Sequence, residues 1–221
     1  MMDKIQIIGF GAGGHARVMI EILRLDIHYE LVGLLDPRKE FLGKSLLGVP
    51  ILGDDALLSE LLKKGINHFF VGLGGTGNTN PRRKLYEMAR FHTMLPVNAI
   101  HPSVIISPSV RVGMGFTAMA NSVVNACATI GENVILNTGA IIEHDCVIGS
   151  HVHIATGARL ASTVQVGDGA HIGAGATIRQ CVIIGAGAIV GAGAVVVKDV
   201  QSGMVVVGVP ARPLTKKDTV A

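Results

Sequence analysis

From Ile100 to about Gln201 an aliphatic residue returns every six positions without a break, as in Ile130, Leu136, Ile142, Ile148, Ile154 and Leu160. Four positions after each comes a small or apolar residue, as in Val134, Ala140, Cys146, Val152 and Ala158, with Ser122 the polar exception. Glycine often follows the aliphatic directly, as in Ile148-Gly149, Val166-Gly167 and Ile172-Gly173. Period six over this length belongs to parallel β-helices, whose single repeats cannot bury their apolar residues alone. Three hexads close one triangular coil, with large aliphatics in internal ladders and small residues at the corners. At about 4.8 Å between paired strands, the five to six coils stack to about 25 Å. The pattern predicts a left-handed parallel β-helix over residues 97–201.

Ahead of it the period changes. Lys4–Ile8, Glu30–Asp36 and Asn67–Gly74 read as buried strands, and 16–25, the stretch after Asp55 and 81–91 read as amphipathic helices. Strands alternating with helices predict a parallel sheet, so residues 1–96 form a Rossmann-like half domain. Residues 202–221 remain: an extended segment at 204–212 expected to fold back on the prism, then a polar tail at 215–221 expected to be mobile.

The net charge of +3 is small and its cations are scattered, which argues against nucleic-acid binding. No leader pattern or long apolar run appears, so no membrane insertion and a cytoplasmic location are expected. Cys127, Cys146 and Cys181 lack metal-type spacing and are expected to be reduced, mostly buried thiols.

Residues 9–14 satisfy G-x-G-x-x-G between a strand and a helix, and Asp36 ends the next strand. A dinucleotide oxidoreductase is the sharp reading, but the module is only half a dinucleotide fold and no dehydrogenase substrate domain follows. What survives is a set of backbone N–H groups at a helix start, able to hold a phosphate or pyrophosphate. His15 points toward whatever the loop holds. Asp36 either contacts a ribose or base or caps the turn at Pro37.

On the prism, polar titratable residues stand out against scaffold. His144, in Ile142-Glu143-His144-Asp145-Cys146, is flanked by two carboxylates, which can orient an imidazole and raise its basicity. Adjacent strand side chains point apart, so a His144–Asp145 contact requires a bend. His153 and His171 are one coil apart and should stack, His153 near a cofactor and His171 as a surface neighbour. No third histidine completes a metal site, and no metal is expected.

The Gly11-Ala12-Gly13-Gly14-His15 loop, the Asp36 strand end, Gly72-Leu73-Gly74, Leu136-Asn137-Thr138 through Gly149 and the closing Val207-Gly208-Val209-Pro210-Ala211 together resemble the bacterial sugar acetyltransferase family. That family includes sialic acid O-acetyltransferases and N-acetyltransferases of nucleotide-linked 4-amino-sugars. The resemblance implies a homotrimer with acetyl-CoA in clefts between prisms. It makes His144 the general base and Asp145 its partner, places His153 near the thioester, and sets Ser162, Ala174 and Ala192 along the CoA arm. Gly13, Gly14, His15, Asp36, Pro37, Gly74 and Asn137 match the substrate pocket, with Pro37 standing where relatives carry an acid. The implied reaction is direct acetyl transfer to the amine of a nucleotide-linked 4-amino-sugar. A sugar O-acetyltransferase and a non-catalytic nucleotide-sugar-binding trimer are the alternatives.

Overall fold

A computed structural model describes residues 4–214, so the expected tail at 215–221 lies outside the described residues. The chain divides into two compact units. One runs to Gly74 and resumes over Pro81–Ile100; the other comprises Gly75–Asn80 and the chain from His101 onward. Among the described residues no helix is long and apolar enough to cross a membrane.

The first unit is a twisted sheet around β1 (Ile5–Phe10), which pairs in parallel with β2 (Tyr29–Leu35) and β5 (His68–Val71). Ile7, Ile8 and Phe10 are buried, as the apolar run demands of a central strand. At Gly9 any Cβ would lie 2.3 Å from the Phe70 ring, so glycine there lets the strands and their side chains close up. Helix α1 (Gly14–Arg24) turns Ala16, Met19, Ile20 and Leu23 inward, at helical spacing. Helices α2 (Leu58–Lys63) and α3 (Asn80–Phe91) follow.

Three strands go beyond the sequence expectation. β3 (Ser45–Leu46) and β4 (Val49–Gly53) form a hairpin, and β4 joins β2 in parallel. Pro50 and the glycines at 48 and 53 mask that strand's pattern. β6 (Leu95–Pro96) pairs in parallel with β5, so the stretch that reads as a boundary completes the sheet.

In the second unit the strands from Ile105 to Val196 are two residues long and stack at an interval of eighteen: Thr117, Ile135, His153, His171 and Ile189 pair in turn. Two further ladders do the same, from Ile105 to Val195 and from Arg111 to Ile183. The aliphatics from Val124 to Val196 point inward and are buried, and so are the small corner residues from Ala128 to Ala194. Ser122 is accommodated because its hydroxyl donates to the Met119 carbonyl at 2.8 Å. The fold is the left-handed β-helix.

The corners from Gly115 to Gly193 each turn through a residue with positive φ. Glycine serves at several, Asn, Asp and His at others, and cysteine at Cys127 and Cys181, both near φ 60°. That placement corrects the expectation of mostly buried thiols: Cys146 is buried, but Cys127 and Cys181 are exposed, because the corner turns their side chains outward. Burial pushes the Cys146 thiol up to about 11. The eighteen-residue interval fails at the end, where Ile189 pairs with Val205 and the chain returns antiparallel at Arg212–Pro213.

Leu136 is fully buried in a ladder, and Leu136→Ala is expected to lower unfolding free energy by about 2–5 kcal/mol. A Cβ at Gly173 would lie 2.6 Å from the backbone of the next coil, so Gly173→Ala is expected to cost about 1–3 kcal/mol. Denaturant unfolding of both variants measures this.

Candidate active site

The sheet's carboxyl edge carries a pocket of about 520 Å³ that gathers Gly13, Gly14, His15, Asp36, Pro37 and Gly74. Phe10, Leu35, Leu73 and Leu85 give it apolar walls. Gly11 has φ 93° and needs to be glycine for its turn. Gly13 and Gly14 are different: neither has positive φ, and a Cβ on either would meet nothing within 4 Å. Glycine there answers to no packing demand inside the chain; it leaves bare backbone facing open space. Gly13 caps α1 without a side-chain bond, and no acidic residue occupies the helix's first turn. Those N–H groups and the positive end of α1 form an anion cradle.

Asp36 resolves toward the cap of the two alternatives. Its Oδ2 accepts the Ala12 N–H at 2.8 Å, and its Oδ1 accepts the Arg38 backbone N–H at 3.1 Å. Arg38 Nε donates to Oδ1 at 2.8 Å and Nη2 to Oδ2 at 2.6 Å. The carboxylate is 5% exposed, and the Arg38 hydrogen bonds are the main reason its pKa is lowered to about 2. Asp36 therefore acts on the pocket through what it holds. The Arg38 guanidinium also lies over the Phe41 ring, 4.1 Å from its centroid. The sequence reading gives Arg38 no role, although an arginine two residues beyond the strand-end acid was the available signal.

On the prism a cleft of about 450 Å³ brings Asn137, His153, Ala174 and Ala192 together with His171 and Thr76. His153 Nδ1–H donates to the Gly75 carbonyl, which leaves Nε2 as the acceptor, 3.4 Å from Asn137 Nδ2. His171 meets the His153 ring edge to face, with 5.0 Å between centroids. His171 is not a surface residue but 6% exposed, because the stretch 75–80 lies on this face, pinned also by Thr79 Oγ1 donating to the Gly169 carbonyl at 3.0 Å. Burial lowers its pKa, which favours the neutral ring.

His144 stands elsewhere. Asp145 has φ 59°, which supplies the bend, and its Oδ2 accepts the His144 Nδ1–H at 2.7 Å. Glu143 turns instead to Asn125 Nδ2, at 3.0 Å. His144 thus carries an oriented ring with Nε2 as its basic nitrogen. Eighteen residues on, Ser162 stacks above it, whereas Ala174 and Ala192 continue the column that begins at Thr138 on the preceding corner. The corners of a coil are six residues apart, roughly 15–20 Å along the strand. One copy therefore brings His153, Ala174 and Ala192 together, and His144 with Ser162, but on separate edges. Among the described residues no three His, Cys, Asp or Glu side chains converge as a metal site.

A hexapeptide prism with an oriented histidine, attached to a half-Rossmann unit whose pocket opens on bare backbone, defines the acyltransferase class. Residues 4–89 match the PglD N-terminal domain family, and residues 127–162 and 163–198 match the bacterial transferase hexapeptide family (six repeats). A histidine-to-alanine variant of GDP-perosamine N-acetyltransferase from Caulobacter crescentus, crystallised with CoA and GDP-perosamine, is 40% identical. The match covers 98% of this chain and 99% of that one, with a TM-score of 0.88. The acetyltransferase domain of PglB from Neisseria gonorrhoeae, crystallised with acetyl coenzyme A, is 36% identical over 96% of this chain and all of the other, also at 0.88. WeeI from Acinetobacter baumannii AYE is 29% identical over 95% of this chain and 100% of that one, at 0.83. The chain belongs to this family of bacterial sugar acetyltransferases and is an acetyltransferase.

The lowered pKa of Asp36 has a direction. A carboxylate depressed from 3.8 to about 2 contributes stability that is present above pH 4 and is lost as pH falls toward 2. Asp36→Asn is therefore expected to melt below the unaltered protein at pH 5–7, with the gap narrowing between pH 4 and 2. Thermal melts across that range measure it.

Proposed function

We propose that this protein transfers an acetyl group from acetyl-CoA to the amine of a nucleotide-linked amino-sugar. The observation that carries the reading is the whole-length likeness, through both units together, to an enzyme crystallised with CoA and GDP-perosamine. The geometry supports it residue by residue. The glycine cradle of the α/β unit suits a pyrophosphate, and the column ending in Ala174 and Ala192 offers small side chains along which a pantetheine arm can lie.

His144 is the general base in this reading. Its Nε2 takes a proton as the sugar nitrogen attacks the thioester carbonyl, while Asp145 holds the ring and stabilises its charged form. His153, fixed by Gly75 and Asn137, sits beside the thioester. Backbone N–H groups of the prism take the negative charge that develops on the carbonyl oxygen. The tetrahedral adduct collapses with loss of the CoA thiolate, and the sugar amide is the product. An amine attacks only as the free base, so a histidine working near neutral pH matches the task.

The separation of His144 from the Ala174–Ala192 column supports a site completed by a second copy, and the homotrimer of the family reading supplies one. Nucleotide-sugars and acetyl-CoA as substrates are consistent with a cytoplasmic enzyme.

Thiol release from acetyl-CoA, measured with UDP-, dTDP- and GDP-linked 4-amino-sugars and with sialic acid as the hydroxyl control, tests the reaction. Turnover with sialic acid alone would sink the proposal. His144→Ala is expected to lower kcat by about 10²–10⁴-fold with little change in the affinity of either ligand. For the shared site, inactive His144→Ala is refolded together with inactive Ala174→Trp. Activity is expected to return at roughly a quarter of all interfaces in a 1:1 mixture; no recovery would place both edges' roles within one copy.

A further inference from the structure

We infer that Arg38 reads the base of the nucleotide and selects guanine. This rests on the reading of the α/β pocket as the nucleotide end of the substrate. The guanidinium has five N–H donors. Its side edge is already engaged, Nε–H with Asp36 Oδ1 and one Nη2–H with Oδ2. Its end edge, Nη1–H with the second Nη2–H, remains as an intact fork, and the side chain is 46% exposed in a pocket it lines.

The fork is held rather than loose. Asp36 is anchored by the Ala12 N–H on one side and the Arg38 backbone on the other, and the Phe41 ring stacks on the guanidinium. A group fixed from two sides discriminates geometry, because little side-chain freedom is lost on binding.

The place of the fork decides what it meets. The Gly13–Gly14 backbone and the start of α1 already provide the donors for a pyrophosphate. In this type of fold the end of the second strand lies at the nucleoside, beyond the phosphates, and Arg38 is three residues past that end. Guanine presents two adjacent acceptors, O6 and N7, to such a fork; cytosine's O2 and N3 are the other such pair, so CDP belongs among the nucleotides titrated and must bind more weakly than GDP. Adenine sets an amino donor beside N7. Uracil and thymine offer O4 with no second acceptor next to it. Asp36 cannot substitute as a reader, because its oxygens are taken within the protein.

Calorimetric titration of the full-length protein with GDP, CDP, UDP, dTDP and ADP is the test, joined by 7-deaza-GDP, which lacks the N7 acceptor and needs no substitution in the protein. GDP is expected to bind best, with 7-deaza-GDP weaker by about 5-fold or more. Arg38→Lys, which keeps the charge beside Asp36 but loses the fork, is expected to weaken GDP by roughly 5- to 150-fold and the others by much less. A melt confirms that the variant is folded. Preference for a pyrimidine nucleotide, equal binding of GDP and 7-deaza-GDP, or an equal loss for all nucleotides in Arg38→Lys would overturn the inference and leave the pocket a nucleotide site. No binding of any nucleotide diphosphate would overturn the pocket reading itself.

Discussion

The prism depends on one constraint, the eighteen-residue register enforced by backbone hydrogen bonds between coils. His153 N–H donates to the Ala170 carbonyl, His171 N–H to Ala188, and the same step repeats along each face. Once this ladder is set, every residue's neighbours are fixed: those eighteen positions before and after it, on the same face or at the same corner. A one-residue slip would turn the aliphatics outward and the polar residues in. The uniform 0–3% exposure of the ladder from Val124 onward reflects that penalty.

The same register makes columns of chemistry. Corner residues repeat as vertical rows, so an elongated ligand can run along an edge with a contact from each coil. Ala174 and Ala192 leave one such edge lined with small side chains. On the neighbouring corner His144 and Ser162 share a row, and the positive φ of Asp145 and Thr163 turns both corners alike. That φ carries strain for a non-glycine residue. At Asp145 the strained turn is what carries the carboxylate to the ring of the residue before it.

Much of this was legible in the chain. Period six gave the coils, and the histidines eighteen apart do meet. The glycine loop, Asp36 and Gly74 converge on one pocket, as the family resemblance implied. What stayed hidden has physical causes. Strand β4 carries a proline and flanking glycines, so its pattern was faint. His171 looked like a surface residue because its cover, 75–80, is remote in sequence and has no periodicity of its own. Arg38 carries little sequence signal of its own because the carboxylate beside it fits the ligand position. The local rule names an acid at that place, and only the geometry shows its oxygens already spent on Ala12 and Arg38.

The exposure of His144 bears on how the site works. Its side chain is 55% exposed and that of Asp145 53% in a single copy. In water, a charge on the ring and its attraction to the carboxylate are both heavily screened, and an ion pair so placed contributes little. Proton abstraction coupled to a developing oxyanion gains most where water is excluded and the dipoles are fixed beforehand. In the proposed role of base, a half-exposed His144 would therefore be incomplete. Under the proposed assembly, the neighbouring prism brings its Ala174–Ala192 edge and the CoA chain against this corner, covers the ring, and raises the weight of the Asp145 contact without moving it. Assembly and base strength would then be one property, and loosening the interface would weaken catalysis even with every residue of the site intact.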